Sequence, residues 1–225
     1  MADKPFQPII DFYSRLPAEH GDSADGVGWT DADAPLRYRT MLEAIRPGTA
    51  RPSVLDFGCG AAHLLDHLQA HAPGSVDYHG IDVSEDAIAL CRRKHPDASF
   101  ECLDVLTAAD DAWPAYDYIL MNGIFTWKGP LTDEQMWDYL RDLLRRVFAH
   151  ARVGVAFNVM STQVDWRRDD LFHAALDPLV SFLSREVSRH VVVRADYGLY
   201  EYTVYVYREP GPGAPPHGRR LVGTT

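Results

Sequence analysis

The chain has 225 residues, of which 46% are hydrophobic and 24% charged, a balance that suits one globular domain with a sizeable core. Its formal net charge is −10, and its longest basic runs are Arg-Arg-Lys and Arg-Arg. Because phosphate binding needs a basic surface, nucleic acid is disfavoured as the main partner, and a small or cationic ligand is favoured.

The cysteine, histidine and hydropathy patterns favour a reducing, aqueous compartment. The cysteines Cys59, Cys91 and Cys102 are widely spaced and form no Cys-x-x-Cys pair, so we expect free thiols. The first residues lack the long apolar segment of a signal peptide, and no stretch approaches the roughly 20 apolar residues of a membrane span. The ten histidines form no ligand-type cluster. We therefore expect a cytoplasmic protein without a metal site or a membrane partner.

The first segment in chain order is residues 1–46, which we predict to be a helical cap that folds over a site. It begins as a polar, glycine-containing stretch that includes the aromatic residues Phe12, Tyr13 and Trp29. Its clearest amphipathic pattern predicts a helix at 34–45, just before the first strand.

Residues 47–208 form the main predicted domain, in which strand-like apolar runs alternate with amphipathic stretches. Strands are predicted at 53–58, 76–83, 98–105, 116–123 and 153–160. Helices are predicted between them at 62–72, 84–96 and 132–151. The last two helices begin with capping signals, Ser84 and a Thr132–Gln135 capping box. This alternation indicates βαβ units and a mostly parallel sheet.

The pattern changes after residue 160. A polar loop at 161–170 precedes a predicted helix at 177–188, and two β-rich runs at 189–198 and 199–209 form a hairpin around an Asp-Tyr-Gly turn. The predicted fold is therefore α/β: a Rossmann-like, doubly wound, seven-stranded sheet, mostly parallel, with one antiparallel strand in the C-terminal hairpin. Residues 209–225 are rich in proline and glycine, which predicts a disordered tail.

A glycine-rich loop joins the first predicted strand to the first helix, where ligands bind in open α/β sheets. Its sequence from Gly58 is G-C-G-A-A-H, which departs from the dinucleotide pattern G-x-G-x-x-G at His63. An acid, Asp56, precedes the first glycine, and further acids end the next two strands at Asp82 and Asp104.

The pattern D-x-G-x-G-x-A resembles motif I of the class I S-adenosylmethionine-dependent methyltransferases, E/D-x-G-x-G-x-G, with Ala62 in place of the last glycine. The stretches GVGWTDADAPLRYRTML, YDYILMNGIFTWK, GVAFNVMST and DYGLYEYTVYVYR are similar to a widespread bacterial group of small methyltransferases, over roughly residues 10–208. The resemblance implies S-adenosylmethionine as cofactor and methyl transfer to a nitrogen or oxygen of a small molecule.

The resemblance also implies a set of cofactor-binding residues. Asp82 is expected to pair with the ribose hydroxyls, Asp104 with the adenine amino group and Arg37 with the methionine carboxylate, although a solvated helix charge explains Arg37 equally well. The full set is Arg37, Asp56, Phe57, Gly58, Gly60, Asp82, Val83, Asp104, Val105, Asn122 and Gly123.

The acceptor side is read from loops and strand ends on the presumed ligand side. Methyl transfer mainly requires an aligned nucleophile, and a base is needed only if the acceptor enters protonated. The candidate catalytic residues are Asn122 and His173. His173 could act as a general base because imidazole titrates near neutral pH, and the alternative is that it only packs within a helical stretch. The candidate substrate-binding residues are Trp29, Phe125, Trp127, Lys128, Asn158, Trp166 and Tyr197.

Two other functions stay open at this point. A non-catalytic module could hold S-adenosylmethionine without chemistry, and a nicotinamide-dependent oxidoreductase would also use a glycine loop with an acid after the second strand. Methylation of nucleic-acid bases is disfavoured, because Met-Asn-Gly-Ile-Phe stands where those enzymes carry Asp/Asn-Pro-Pro-aromatic. The sequence indicates neither the acceptor nor the oligomeric state.

Overall fold

The computed structural model of the protein describes residues 6–20, 22, 33–48 and 50–212, with no side-chain description for 16–20. Most of the tail predicted at 209–225 therefore lies outside the described residues. The helices are α1 (Gln7–His20), α2 (Ala34–Leu42), α3 (His63–His71), α4 (Glu85–Lys94), α5 (Asp133–Ala149) and α6 (Leu176–Phe182), the last continued by a π-helical turn, Leu183–Val187. The strands are β1 (Ser53–Phe57), β2 (Asp77–Asp82), β3 (Ser99–Cys102), β4 (Tyr116–Met121), β5 (Ala151–Ser161), β6 (His173–Ala174), β7 (His190–Arg194) and β8 (Glu201–Tyr207).

The strands form one mixed sheet in the order β3-β2-β1-β4-β5-β8-β7, with β6 paired to β5. Strands β1 to β6 pair with one another in parallel, and β8 runs antiparallel between β5 and β7. The predicted α/β fold class with one antiparallel strand in a C-terminal hairpin is thus confirmed. The two-residue β6 adds an eighth strand, and it places His173 in a strand rather than in the helical stretch expected from the sequence.

Two capping predictions are confirmed by hydrogen bonds. The Ser84 hydroxyl accepts from the Ala87 amide at 3.2 Å at the start of α4. At the start of α5, Thr132 accepts from the Gln135 amide at 3.2 Å, and the Gln135 side chain accepts from the Thr132 amide at 2.9 Å. These bonds satisfy helix-end amides that would otherwise lack partners.

Both faces of the sheet are covered, because alternate residues of each strand point to opposite sides. On one face Leu55, Ile119 and Phe157 join α5 in the larger core cluster. On the other face Val54 and Tyr118 pack with α2 and α3. The sheet is therefore a buried central layer whose carboxyl edge is left for a site.

Strand β8 fixes α2 to the sheet through tyrosine hydroxyls. Tyr205 donates to the carbonyl of Thr40 at 2.5 Å, and Tyr207 donates to the carbonyl of Ala44 at 2.9 Å. The helix before the first strand, α2, is thus bonded to β8, the last strand in the chain. No helix within the described residues is long and apolar enough to cross a membrane.

Candidate functional site

A cleft lies at the carboxyl edge of the sheet, where β1, β2, β3 and β4 end. Strand order reverses between β1 and β4, and such a switch point is where open α/β sheets bind ligands. The cleft has a volume of about 1150 Å³, counted out to the solvent. Ten of the eleven predicted cofactor-binding residues line it: Asp56, Phe57, Gly58, Gly60, Asp82, Val83, Asp104, Val105, Asn122 and Gly123.

The glycine loop turns tightly at the floor of this cleft. The amides of Gly58 and Cys59 both donate to the carbonyl of Ile81, at 2.8 and 2.9 Å, which ties the loop to the end of β2. Gly58 has φ +72°, and a Cβ there would lie 2.3 Å from Cδ1 of Ile124. The backbone conformation therefore requires glycine here, whereas the close contact involves only the far end of the Ile124 side chain.

Ala62 also has a positive φ, although it is not a glycine. It begins α3 in the left-handed region at φ +60°. A side chain in that region is strained, which explains physically why the resembling motif has glycine at this place.

Asp82 joins the end of β2 to the glycine loop. One carboxylate oxygen accepts from the Gly60 amide and the other from the Ser84 amide, both at 2.9 Å. Burial raises the pKa of this carboxyl, against the effect of these amide donors. Each oxygen keeps a further lone pair, so the group can accept from two ligand hydroxyls.

Asp56 lies beneath the loop with only 3% of its surface exposed. The Tyr78 hydroxyl donates to it at 2.7 Å, but burial dominates and raises the pKa of Asp56 to about 7. With this pKa the acid is partly protonated near neutral pH, and Tyr78 is its hydrogen-bond partner beneath the loop.

Asp104 follows β3 in a turn. Its carboxylate accepts from the Leu106 amide at 3.1 Å and from the Thr107 hydroxyl at 3.0 Å. The turn brings Leu103 and Val105 to the cleft as apolar neighbours of the acid. An acid between apolar side chains suits a flat ring that carries an amino group.

Asn122 follows β4 and has a side-chain amide that finds no hydrogen-bond partner in the described part of the chain. Both its Nδ2 and Oδ1 atoms are buried and have no hydrogen-bond partner among the described residues. Buried polar atoms of native proteins are nearly always paired, so this group is the clearest indication of an absent ligand.

Helix α1 covers the cleft through Ile9, Ile10 and Tyr13. Tyr13 donates to the carbonyl of Gly123 at 3.2 Å, and Phe12 stacks on Trp127 with 3.8 Å between ring centroids. Sequence reasoning missed these lining residues, although the apolar spacing of Ile9 and Tyr13, one helical turn apart, carries the signal. The predicted set also lacked ten further lining residues: Tyr38, Cys59, His63, Leu64, Ile81, Leu103, Leu106, Ile124, Tyr139 and Leu143.

Four predicted acceptor-side residues are used elsewhere in the structure and do not line the cleft. Phe125 is fully buried and packs edge-on against Phe157 in the core. Trp127 holds α1, as described above, and Lys128 pairs with Asp133 at 2.6 Å. Trp166 is 51% exposed.

His173 and Trp29 complete the predicted acceptor side. Nδ1 of His173 lies 2.7 Å from the carbonyl of Ser161, and its Nε2 is buried without a partner among the described residues. It lies in β6 and does not line the cleft. Trp29 lies outside the described residues.

Arg37, Asn158 and Tyr197 meet around the carboxylate of Glu201, in what we call the buried network. Arg37 Nε donates to both Glu201 oxygens, at 3.1 and 2.9 Å, and Asn158 Nδ2 donates at 3.0 Å. The Tyr197 hydroxyl lies 3.3 Å from the same carboxylate and 2.9 Å from the Thr203 hydroxyl. Three residues predicted to touch cofactor or substrate thus all contact the Glu201 carboxylate.

Three residues of types that can bind a metal ion lie close together beside α3. Ligand atoms of Asp22, His63 and Asp66 lie within 4.8 Å of one another. However, the Lys94 ammonium is 2.7 Å from Asp22 and 2.9 Å from Asp66. Because this cation already bridges both acids, we assign the group to linking α3, α4 and the segment before α2.

Comparison with known proteins gives matches of sequence and of fold. A family model described as a methyltransferase domain matches residues 55–155. A Mycobacterium tuberculosis protein that is named as a methyltransferase is 33% identical over 159 residues, which cover 68% of this chain and 92% of the relative.

Solved structures match the fold at low sequence identity. Magnesium protoporphyrin IX methyltransferase from Synechocystis PCC 6803, solved with bound S-adenosylmethionine, has a TM-score of 0.62 at 12% identity over 92% of this chain and 99% of its own. A plantazolicin methyltransferase, solved with a desmethylPZN analogue and S-adenosylhomocysteine, has a TM-score of 0.55 at 14% identity over 90% and 97%. At these identities the likeness is one of fold.

Proposed function

This chain belongs to the class I S-adenosylmethionine-dependent methyltransferase family, and we propose that it methylates a nitrogen or oxygen atom of a small molecule. The resemblance drawn from the sequence is thereby confirmed at the level of family and enzyme class. The residue roles and the acceptor class that follow are part of the proposal.

The observation that carries the proposal is the composition of the cleft. It joins the Gly58–Gly60 backbone, the Asp82 carboxylate and the unpartnered Asn122 amide. Among its described lining residues, the charged side chains are Asp56, Asp82 and Asp104, with His63 and without lysine or arginine. An acidic cleft suits a nucleoside that carries a sulfonium, and it disfavours a pyrophosphate.

The residues divide along the cleft by chemistry. Asp82 would accept from both ribose hydroxyls, and Asp104 with Leu103 and Val105 would hold the adenine ring. The Gly58–Gly60 backbone would hold the methionine half, where the absence of side chains leaves room. Asn122 and Gly123, at the end of β4, would face the methyl group.

The cofactor supplies a methyl group already activated by a positively charged sulfur. The chain has to hold the acceptor in line with that group and to exclude water. Helix α1 contributes to exclusion, because Ile9, Ile10 and Tyr13 cover the cleft. The Asn122 amide can donate to or accept from an acceptor's hydroxyl or amino group. We assign residues 1–46 the role of a lid on this basis.

Labelled methyl transfer into a cell extract tests the proposal. Purified protein is incubated with methyl-labelled S-adenosylmethionine and an extract divided into small-molecule, protein and nucleic-acid fractions. We expect label in the small-molecule fraction, on nitrogen or oxygen. Label confined to protein or nucleic acid, or no transfer although the cofactor binds, would contradict the assigned acceptor class.

A further inference from the structure

Gly123 is held through both of its backbone polar groups. Its amide donates to Oδ1 of Asn158 at 2.7 Å, and its carbonyl accepts from Tyr13 at 3.2 Å. Gly123 has φ +81°, so the chain turns sharply at this point. The orientation of the cleft wall next to Asn122 therefore depends on Asn158 and on α1.

The Asn158 amide has its orientation set by Glu201. Its Nδ2 donates to Glu201 at 3.0 Å, which leaves Oδ1 to accept from Gly123. With only 1% of its surface exposed, Asn158 has no solvent alternative. A flipped amide would put two donors against each other at Gly123, so the carboxylate selects one orientation.

Glu201 is in turn fixed as a charged acceptor. It is 4% exposed, and Arg37 supplies the opposite charge through Nε at 2.9 Å. Removing a buried charge from its partner is strongly unfavourable, so the pair holds α2, β5 and β8 in one arrangement. Neither Glu201 nor Asn158 lines the cleft.

We propose that Asn158 and Glu201 are positioning residues that set the orientation of the Gly123 peptide, and through it the wall facing the transferred methyl group. This inference rests on the proposed function. Asn158 acts through Gly123, which differs from the direct substrate contact expected from the sequence. Arg37 acts through Glu201 as its counter-charge.

The methyl resonance of bound [methyl-¹³C]-S-adenosylmethionine tests the inference, because it reports the surroundings of the methyl group. We compare Asn158→Ala and Glu201→Gln with the wild type, and use Thr203→Val as a control. Thr203 is equally buried in β8, and its hydroxyl contacts the Tyr197 hydroxyl, so this control removes a contact of the buried network that does not run through Asn158. Urea unfolding verifies that each variant folds.

In Asn158→Ala we expect a shifted methyl resonance and about tenfold weaker binding of S-adenosylmethionine, because one buried hydrogen bond is lost. Glu201→Gln keeps the shape and should move the resonance less, while Thr203→Val should leave it in place. Equal resonances in folded Asn158→Ala and wild type would overturn the inference. If Asn158→Ala does not fold, Glu201→Gln decides, and an unmoved resonance there overturns it. A wild-type protein that binds no labelled cofactor would instead contradict the proposed function.

Discussion

The cleft and the buried network are two polar clusters of the same sheet. They differ in how many of their polar groups have hydrogen-bond or charge partners. In the cleft, charges of one sign gather and the Asn122 amide has no partner among the described residues. In the buried network, Arg37 and Glu201 have opposite charges and Asn158 uses both ends of its amide.

The two asparagines show what this difference teaches. Asn122 and Asn158 follow or lie in adjacent strands and carry the same side chain. An unpartnered amide beside a cleft indicates a ligand, whereas a fully paired amide indicates a support. For these two asparagines, the combination of pairing and position at the cleft separates the binding group from the positioning group.

The largest expected effect is on the stability supplied by the buried network. Arg37→Ala leaves the Glu201 carboxylate buried without its counter-charge, which should lower the free energy of unfolding by about 3 kcal/mol. Urea unfolding measures it. The matched control is Arg145→Ala at the exposed pair with Glu186, where we expect about 1 kcal/mol or less. Equal losses in the two variants would remove the distinction drawn between the regions.

The cleft should respond with a loss of ligand affinity, which comes in addition to the loss of the two backbone hydrogen bonds that Asp82 accepts. Asp82→Ala removes both acceptors that we propose for the ribose hydroxyls, so the binding free energy for S-adenosylhomocysteine should weaken by about 1–3 kcal/mol. Calorimetry measures it, with Asp86→Ala on the exposed start of α4 as the control. Unchanged affinity in Asp82→Ala would remove Asp82 from the proposed site.

The raised pKa of Asp56 should also make the free energy of unfolding depend on pH. Burial raises the pKa of Asp56 to about 7, against about 3.9 for an unfolded aspartate. The folded state therefore binds more protons between these values, and stability from this group falls as pH rises through that window.

Asp56→Asn removes the titrating group and keeps an acceptor for Tyr78. Relative to the wild type, its free energy of unfolding should increase by at most about 1.4 kcal/mol per pH unit between about pH 4 and about pH 7. Urea unfolding across that range measures the difference. A difference that stays constant with pH would show that Asp56 does not carry the raised pKa.

The smallest effect concerns the loop that lines the cleft. Ala62→Gly relieves the left-handed backbone at φ +60° and should stabilise the protein by about 0.5–1 kcal/mol. The adjacent Ala61→Gly, at a position without positive φ, should destabilise it by a similar amount. Thermal unfolding compares the two, and effects of the same sign would contradict the assigned strain.

Local signals made the fold and most of the cleft predictable. Parallel strands place their carboxyl ends at one edge, so the acids after β1, β2 and β3 had to gather near the glycine loop. The capping box of Thr132 and Gln135 depends on residues three apart, which a sequence displays directly. Helix α1 was missed in detail because only its short apolar spacing marks it within a polar, glycine-containing segment.

The buried network could not be predicted, because its pairs are distant in sequence. Arg37 and Glu201 are 164 positions apart, and no local pattern matches a charge with its partner over that separation. Phe125 shows the same limit in another form. Its place after β4 implied the cleft, but a position in the chain does not give the direction of a side chain, and Phe125 points into the core.

The position of β8 between β5 and β7 has a consequence for biosynthesis. Residues 201–207 emerge from the ribosome after every other strand, yet they occupy an interior place in the sheet. They also supply Glu201, the counter-charge of Arg37, and the tyrosines that anchor α2. Until this segment is translated, α2 lacks the tyrosines that anchor it, and one edge of β5 has no strand partner. An unpaired strand edge favours aggregation, so we expect the nascent chain to be prone to aggregation until β8 is made.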